Sequence, residues 1–335
     1  MLKNKILKPF LILIFILSGV SLVYAWGSWG HKHITRAAVF ALPEGMIKFY
    51  YNHIDFITEG AVVPDLRKYV INDKAEGPRH YVDIEDFGKI PFSEIPKTTK
   101  EAYTKYDSAF LEKTGYLSWY ILNMTDKLTE AFKKRNKSEI LFISTELSHY
   151  IADAHMPLHT SSNYDGQKTN QHGVHALWES VLPPQFGHTY NFNTEPAKYI
   201  ENVTEETWKI IEQSHSLVPV LLAAEKKVRN SFTPETMYKK DSEGKPVLRF
   251  RAPVFSDEYA AMFHKELNGM VEEQLRLAIH QISSFWYTAW VNGGSPNLLS
   301  MDDPNLTKQN RRNFKKEYKA WKKGKVLNLG GNVEM

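Results

Sequence analysis

Five side chains able to hold a metal ion fall between His149 and Glu179, in the stretch HYIADAHMPLHTSSNYDGQKTNQHGVHALWE. His149 and Asp153 are four residues apart at the end of an apolar-periodic run, so on a helix both leave one face, about 6 Å apart at Cβ. Pro157 ends that helix, and His159 follows in the turn, which can aim it back at the same face. His175 and Glu179 repeat the four-residue spacing on a second helical stretch, HALWES. Imidazole and carboxylate together suit zinc or a similar borderline first-row cation, and five such groups exceed the needs of one four-coordinate ion. The spacing therefore predicts a multinuclear site.

The elements that must position these groups read as helices. The stretch SEILFISTELSHYIADAHM has Ser138 as its N-cap and delivers His149 and Asp153. Residues 44–58 form another helix, with His53 and Asp55 on its solvated side, and residues 98–135 form two helices separated by Gly115. Helical periodicity resumes from Pro196 to Asn230 and from Asp257 to Val291, with a loop or short hairpin between them. Hardly any segment reads as a confident strand, so the predicted class is all-α: one multi-helix domain built around the metal cluster, spanning residues 26–293.

With 335 residues, 42% hydrophobic and 13% aromatic, the chain can build one substantial core. Residues 1–25 are set apart: Lys3, Lys5 and Lys8 precede an apolar run from Phe10 to Val23, and small residues follow to Ala25. That is the pattern of a secretory signal peptide, which predicts a secreted or periplasmic protein beginning at Trp26. Without those three lysines, 39 basic residues face 38 acidic ones. Such balance argues against a general attraction to polyanions over the whole surface. There are no cysteines, so an exported chain would draw its stability from its core and from bound metal. Residues 294–335 read as a basic C-terminal extension, with Phe314, Tyr318 and Trp321 at helical spacing. This helix either docks by its aromatic stripe or lies on an anionic membrane or nucleic acid.

Four further candidates lie upstream. Cleavage before Trp26 would free an amine that, with its carbonyl oxygen, can chelate a metal in a five-membered ring, with His31 close by as a third ligand. Alternatively Trp26 and Trp29 are core aromatics and His31 a surface residue. Asp65 follows Ala61 to Pro64 and is either held by packed neighbours or caps a helix. His80 follows a Gly-Pro turn and leads into Tyr81, Val82 and Asp83.

Taken together, these residues resemble the superfamily of zinc-dependent phospholipase C and single-strand-specific nucleases, by motif from Trp26 to Glu179 and by helix content to about residue 293. The resemblance implies three zinc ions. Trp26 and His31 would bind one; Asp65, His80, His149 and Asp153 a second, with Asp153 bridging the two; His159, His175 and Glu179 the third. It leaves His33, His155 and His172 without a ligand role. The implied activity is hydrolysis of a phosphodiester, with Asp65 and Asp153 as catalytic residues. Glu179 stands where the phospholipases have Glu and the nucleases usually Asp, and the disulfides of eukaryotic nucleases are absent. The short spacing from Trp26 to His31 is nuclease-like, as is His80-Tyr81-Val82-Asp83, in which Tyr81 would stack a base and Asp83 read its edge. The expectation leans to a phospholipase C acting on phospholipids. The alternative is an extracytoplasmic nuclease acting on single-stranded DNA or RNA, and a non-catalytic zinc protein comes third.

Overall fold

The computed structural model describes residues 27–249 and 252–329, so the predicted signal peptide and Trp26 lie outside the described residues. The principal helices are α1 (Gly27–Phe40), α2 (Glu44–Asn52), α3 (Ile54–Gly60), α4 (Leu117–Lys133), α5 (Lys137–Ala154), α6 (Val203–Ser216), α7 (Val218–Arg229), α8 (Asp257–Glu266), α9 (Met270–Asn292) and α10 (Pro304–Trp321). The only β-sheet among the described residues is a two-stranded hairpin, β1 (Leu248–Arg249) against β2 (Ala252–Pro253). The protein is all-α, as predicted. No helix among the described residues is long and apolar enough to cross a membrane.

The core forms where α1, α4, α5 and α9 pack together, with α3 closing one side against α1 and α5. Trp286 of α9 is fully buried, stacks on Tyr50 of α2 at 4.9 Å, and donates its indole N–H to the Ser144 carbonyl of α5 at 3.1 Å. Because Tyr50 also bonds the Ser144 hydroxyl at 2.8 Å, three helices are fixed at one point without leaving a buried polar group unpaired. This anchor sits one to three turns before His149 and Asp153 on α5, so it sets the position of the end that carries those two side chains.

Several helix limits differ from the sequence reading, each for a local reason. The cap of α5 is Asn136, whose side chain accepts from the Glu139 N–H at 3.3 Å, rather than Ser138. The 44–58 stretch breaks at His53, which leaves helical geometry and bonds Asp302 at 2.9 Å; Asp55 pairs with Arg36. Residues 98–135 hold three helices, Thr99–Lys105, Ser108–Thr114 and α4. Gly115 does separate the last two, at φ +78°, and a Cβ there would come within 2.1 Å of the Tyr81 carbonyl oxygen, so only glycine fits. Residues 190–202 are extended instead of helical from Pro196. Their N–H groups go to other elements, Ala197 to the Ala41 carbonyl, Lys198 to Ser284 and Ile200 to Thr288, all at 2.9–3.1 Å.

The basic C-terminal helix docks by its aromatic stripe. Phe314 meets Tyr51 at 5.0 Å and Trp321 meets Phe40 at 6.1 Å. Its one acidic residue, Glu317, is buried and accepts from Arg36 at 2.8 Å and Tyr51 at 2.7 Å.

Candidate metal centre

Eight of the nine predicted ligands lie among the described residues, and the fold brings all eight into neighbouring sets. His31, His149 and Asp153 form one; Asp65, His80 and His149 a second; His159, His175 and Glu179 a third, with candidate ligand atoms of each set within 4.8 Å of one another. His31 comes from α1, and His149 and Asp153 from the last turns of α5. Asp65 sits in the short helix Val63–Leu66 and His80 just after the turn Gly77–Arg79. His159 lies in the turn Pro157–Thr160 after α5. His175 and Glu179 lie on a helical stretch that starts after Gly173, a left-handed residue at φ +87°.

Asp153 is the meeting point. Its Oδ1 faces His31 Nε2 at 3.5 Å and His159 Nδ1 at 3.6 Å, while Oδ2 faces His80 Nδ1 at 2.9 Å and His149 Nε2 at 3.3 Å. His149 Nε2 also lies 3.9 Å from Asp65 Oδ1, and in the third set Glu179 is 3.3 Å from His175 and 3.7 Å from His159. Ligand atoms about 2.0–2.1 Å from a tetrahedral centre are about 3.3–3.4 Å apart. The observed separations bracket that value.

Proton bookkeeping also favours a cation. The Nδ1–H of His149 is taken by the Ala61 carbonyl at 2.8 Å and that of His175 by the Tyr164 carbonyl at 2.8 Å. When neutral, each ring then turns a bare lone pair toward carboxylate oxygens, acceptor against acceptor. Both nitrogens of His31, both oxygens of Asp65, Oδ1 of Asp153, Nε2 of His80 and Nδ1 of His159 are buried without a hydrogen-bond partner. Such orphans are rare and costly in a folded interior, and bound cations would satisfy the Asp65 and Asp153 oxygens and one nitrogen of His31. Burial lowers His31 and His159 below the ordinary histidine range, which keeps them in the neutral form a metal takes. Burial raises Asp65 to about 7. The residues present fit zinc.

Behind the second set lies a second buried ionic cluster. Glu76 Oε2 accepts from Arg67 Nε at 2.7 Å and Arg79 Nη1 at 2.9 Å, and Oε1 accepts from the Tyr150 hydroxyl. Glu146 takes the other end of the Arg67 guanidinium. Glu76 Oε1 stands 3.5 Å from His80 Nε2, on the side of the ring away from Asp153. In front, the rim carries Lys68, whose half-buried ammonium lies 4.8 Å from the Tyr69 ring centre, and the part-exposed rings of Tyr69 and Tyr164. Burial lowers Lys68, but Tyr69, Asp65 and Asp153 outweigh it and hold the ammonium above its ordinary range. Tyr81 is half-buried and donates to the Lys113 carbonyl at 3.2 Å. Asp83, two residues on, has its carboxyl pushed up to about 7 by burial and by neighbouring Asp86 and Glu85.

The S1/P1 Nuclease family model matches residues 26–278, most of the chain. The chain belongs to the S1/P1 nuclease family. No curated protein matches it. As a family member it is a zinc-dependent phosphodiester hydrolase, and the match backs the nuclease alternative over the phospholipase C reading to which the sequence analysis leaned. The lean rested on Glu179 against Asp and on the absent disulfides, yet either carboxylate supplies one oxygen to a cation and a disulfide touches no substrate, so neither carries much about substrate.

In this S1/P1 nuclease-family chain, sequence reasoning missed Glu76, Lys68, Tyr69 and Tyr164. A cation and an aromatic three and four residues after Asp65 were the available signal for Lys68 and Tyr69. Glu76 had none, because a Glu in DKAEGPR reads as loop surface. Of the histidines left without a ligand role, His33 stacks on Trp29 at 3.7 Å and buried His155 bonds the Ile151 carbonyl, each accounted for by packing.

Proposed function

We propose that this protein is an extracytoplasmic nuclease that cleaves single-stranded nucleic acid at a centre of three zinc ions. The observation that carries the reading is the family match, which begins at residue 26, the residue that signal-peptide cleavage would expose. Asp65, His80, His149 and Asp153 hold one ion. His31 and Asp153, with the freed amine and carbonyl of Trp26, hold another, and His159, His175 and Glu179 the third. The two oxygens of Asp153, turned toward different histidines, support its bridging role. Zinc when bound supplies Lewis acidity toward the phosphoryl oxygens and lowers the pKa of water.

The chain's own groups do the rest. Asp65, a ligand whose second oxygen is free of hydrogen bonds, orients the attacking water or accepts its proton. Lys68 draws a nonbridging phosphate oxygen toward the cluster and offsets charge that develops there. Tyr81 offers a ring face for a base and Asp83 a carboxyl that, near its midpoint at neutral pH, both donates and accepts at a base edge. Exposed Tyr69 and Tyr164 extend the stacking rim, which suits unpaired bases rather than a duplex.

The test is side-by-side release of acid-soluble nucleotides from single-stranded DNA and of phosphocholine from phosphatidylcholine vesicles by the zinc-loaded mature protein. Nucleotide release alone is expected. Phosphocholine release alone would return the phospholipase reading, and activity on neither with zinc bound would leave a structural zinc protein.

A further inference from the structure

The C-terminal helix α10 lies beyond the family match and carries a charge pattern that docking does not require. Lys308, Arg311, Arg312, Lys315, Lys316, Lys319, Lys322 and Lys323 are all exposed. At about 100° per residue they fall within an arc of about 140°, beside the stripe of Phe314, Tyr318 and Trp321 that packs on Phe40 and Tyr51 and is centred about 120° away. Among the described residues none of the eight forms an ion pair. The only acid within α10, Glu317, is buried and satisfied by Arg36, Tyr51 and Asn328. Lys308–Arg312, Arg311–Lys315, Arg312–Lys316, Lys315–Lys319 and Lys319–Lys323 are like charges at i, i+4, each opposing the helix that bears it.

Charge is also segregated along the chain. Residues 304–325 hold nine basic residues and one acid, which leaves the remainder of residues 26–335 with 30 basic against 37 acidic, a net −7. With three zinc ions adding about +6 that remainder comes close to neutral, so the strong attraction for a polyanion away from the metals is concentrated on this one face. We infer that the exposed face of α10 is a docking surface for the single-stranded nucleic acid substrate, holding the phosphates of a strand whose other part lies in the metal centre. This rests on the nuclease reading above. A membrane-surface helix would spend its aromatic stripe on lipid, whereas here the stripe is consumed by the protein and only charge is left to offer. Glu317 meets Arg36, five residues and so about 140° around α1 from His31, so α10 packs on a different side of α1 from that ligand and its cationic face is offered to a strand longer than the part held at the metals.

The experiment compares the zinc-loaded mature protein with a variant carrying Arg312→Gln, Lys315→Gln, Lys316→Gln, Lys319→Gln and Lys323→Gln. Substrates are a long oligodeoxythymidylate and a thymidine dinucleotide, assayed between about 50 and 200 mM salt. The variant is expected to show KM on the long strand raised about tenfold or more at the low-salt end, with kcat and dinucleotide cleavage unchanged. The slope of log KM against log salt should flatten by about 3, from ~0.7 per neutralised phosphate contact. Equal KM and equal slope for the two proteins would overturn the inference while leaving the nuclease reading intact. Failure of the wild-type protein to cleave either substrate would remove that reading and the inference with it. Capture of the wild type, but not the variant, by phosphatidylserine vesicles alongside an unchanged long-strand KM would overturn it in favour of a lipid surface.

Discussion

Two buried ionic clusters meet at His80, and they solve the same problem in opposite ways. Around Glu76, two carboxylates are matched by two guanidiniums and a phenol, and both oxygens of Glu76 accept hydrogen bonds. Around Asp153, the rings of His149 and His175 turn their Nδ1 protons away to backbone carbonyls, His80 Nδ1 hydrogen-bonds Asp153, and both Asp65 oxygens have no partner. Burying charge is unfavourable unless it is paired. The first cluster leaves only Arg79 Nε without a partner, whereas around Asp153 both Asp65 oxygens, Asp153 Oδ1 and both His31 nitrogens are left so, and added positive charge would satisfy the carboxylates. The contrast separates a structural ionic network from a metal centre by which atoms remain unsatisfied.

The comparison can be broken most severely at Asp153. Replacing Asp153 by Asn removes one charge from the point where the sets join, and kcat on single-stranded DNA should fall by about a thousandfold or more while the helical circular dichroism signal is kept. Retained turnover would contradict the shared-carboxylate assignment. Next comes Glu146→Gln in the self-satisfied cluster, which strands part of the Arg67 guanidinium. It should cost about 3 kcal/mol in denaturant unfolding, yet leave zinc affinity as it was. A parallel loss of zinc would show that the two clusters are not independent.

Glu76→Gln sharpens the border between them. Its carboxylate backs the His80 ring, and carboxylates in that position typically account for 10–100-fold in metal affinity. Competition with a chelator should show one zinc weakened by about that factor and the others unmoved. The smallest effect is with pH. Asp65, raised to about 7, and His80, lowered by burial but held above the ordinary histidine range by Asp153 and Glu76, must both lose protons to bind zinc, so affinity at their set should rise with pH by about tenfold or more per unit below 7, as read by isothermal titration. Affinity that falls as pH rises would have the wrong sign.

The self-satisfied cluster was the part that the sequence hid. The i, i+4 pairs His149/Asp153 and His175/Glu179, with Pro157 to turn the chain, made the metal centre legible because helix geometry converts spacing directly into a shared face. Glu76 and Arg67 are buried only because α5 supplies Glu146 and Tyr150 from about seventy residues away, and no local pattern encodes that. The same holds for residues 196–202, whose helix-like pattern yields to hydrogen bonds with Ser284 and Thr288 of α9. Ser138 was expected to cap α5, but Asn136, two residues earlier, has the extended backbone and the side-chain bond to the Glu139 N–H that make it the cap. In α10 the aromatic spacing told correctly which face docks, while the absence of compensating acids became meaningful only once Glu317 was seen turned inward.

The most direct measurement is diffraction from crystals of the mature protein at the zinc absorption edge. Three anomalous peaks are predicted: one by His80, His149 and Asp65, one by His31 and the Trp26 amine, and one by His159, His175 and Glu179, with Asp153 shared between the first two. Crystals grown with zinc that show no anomalous density against Asp153 would contradict the account.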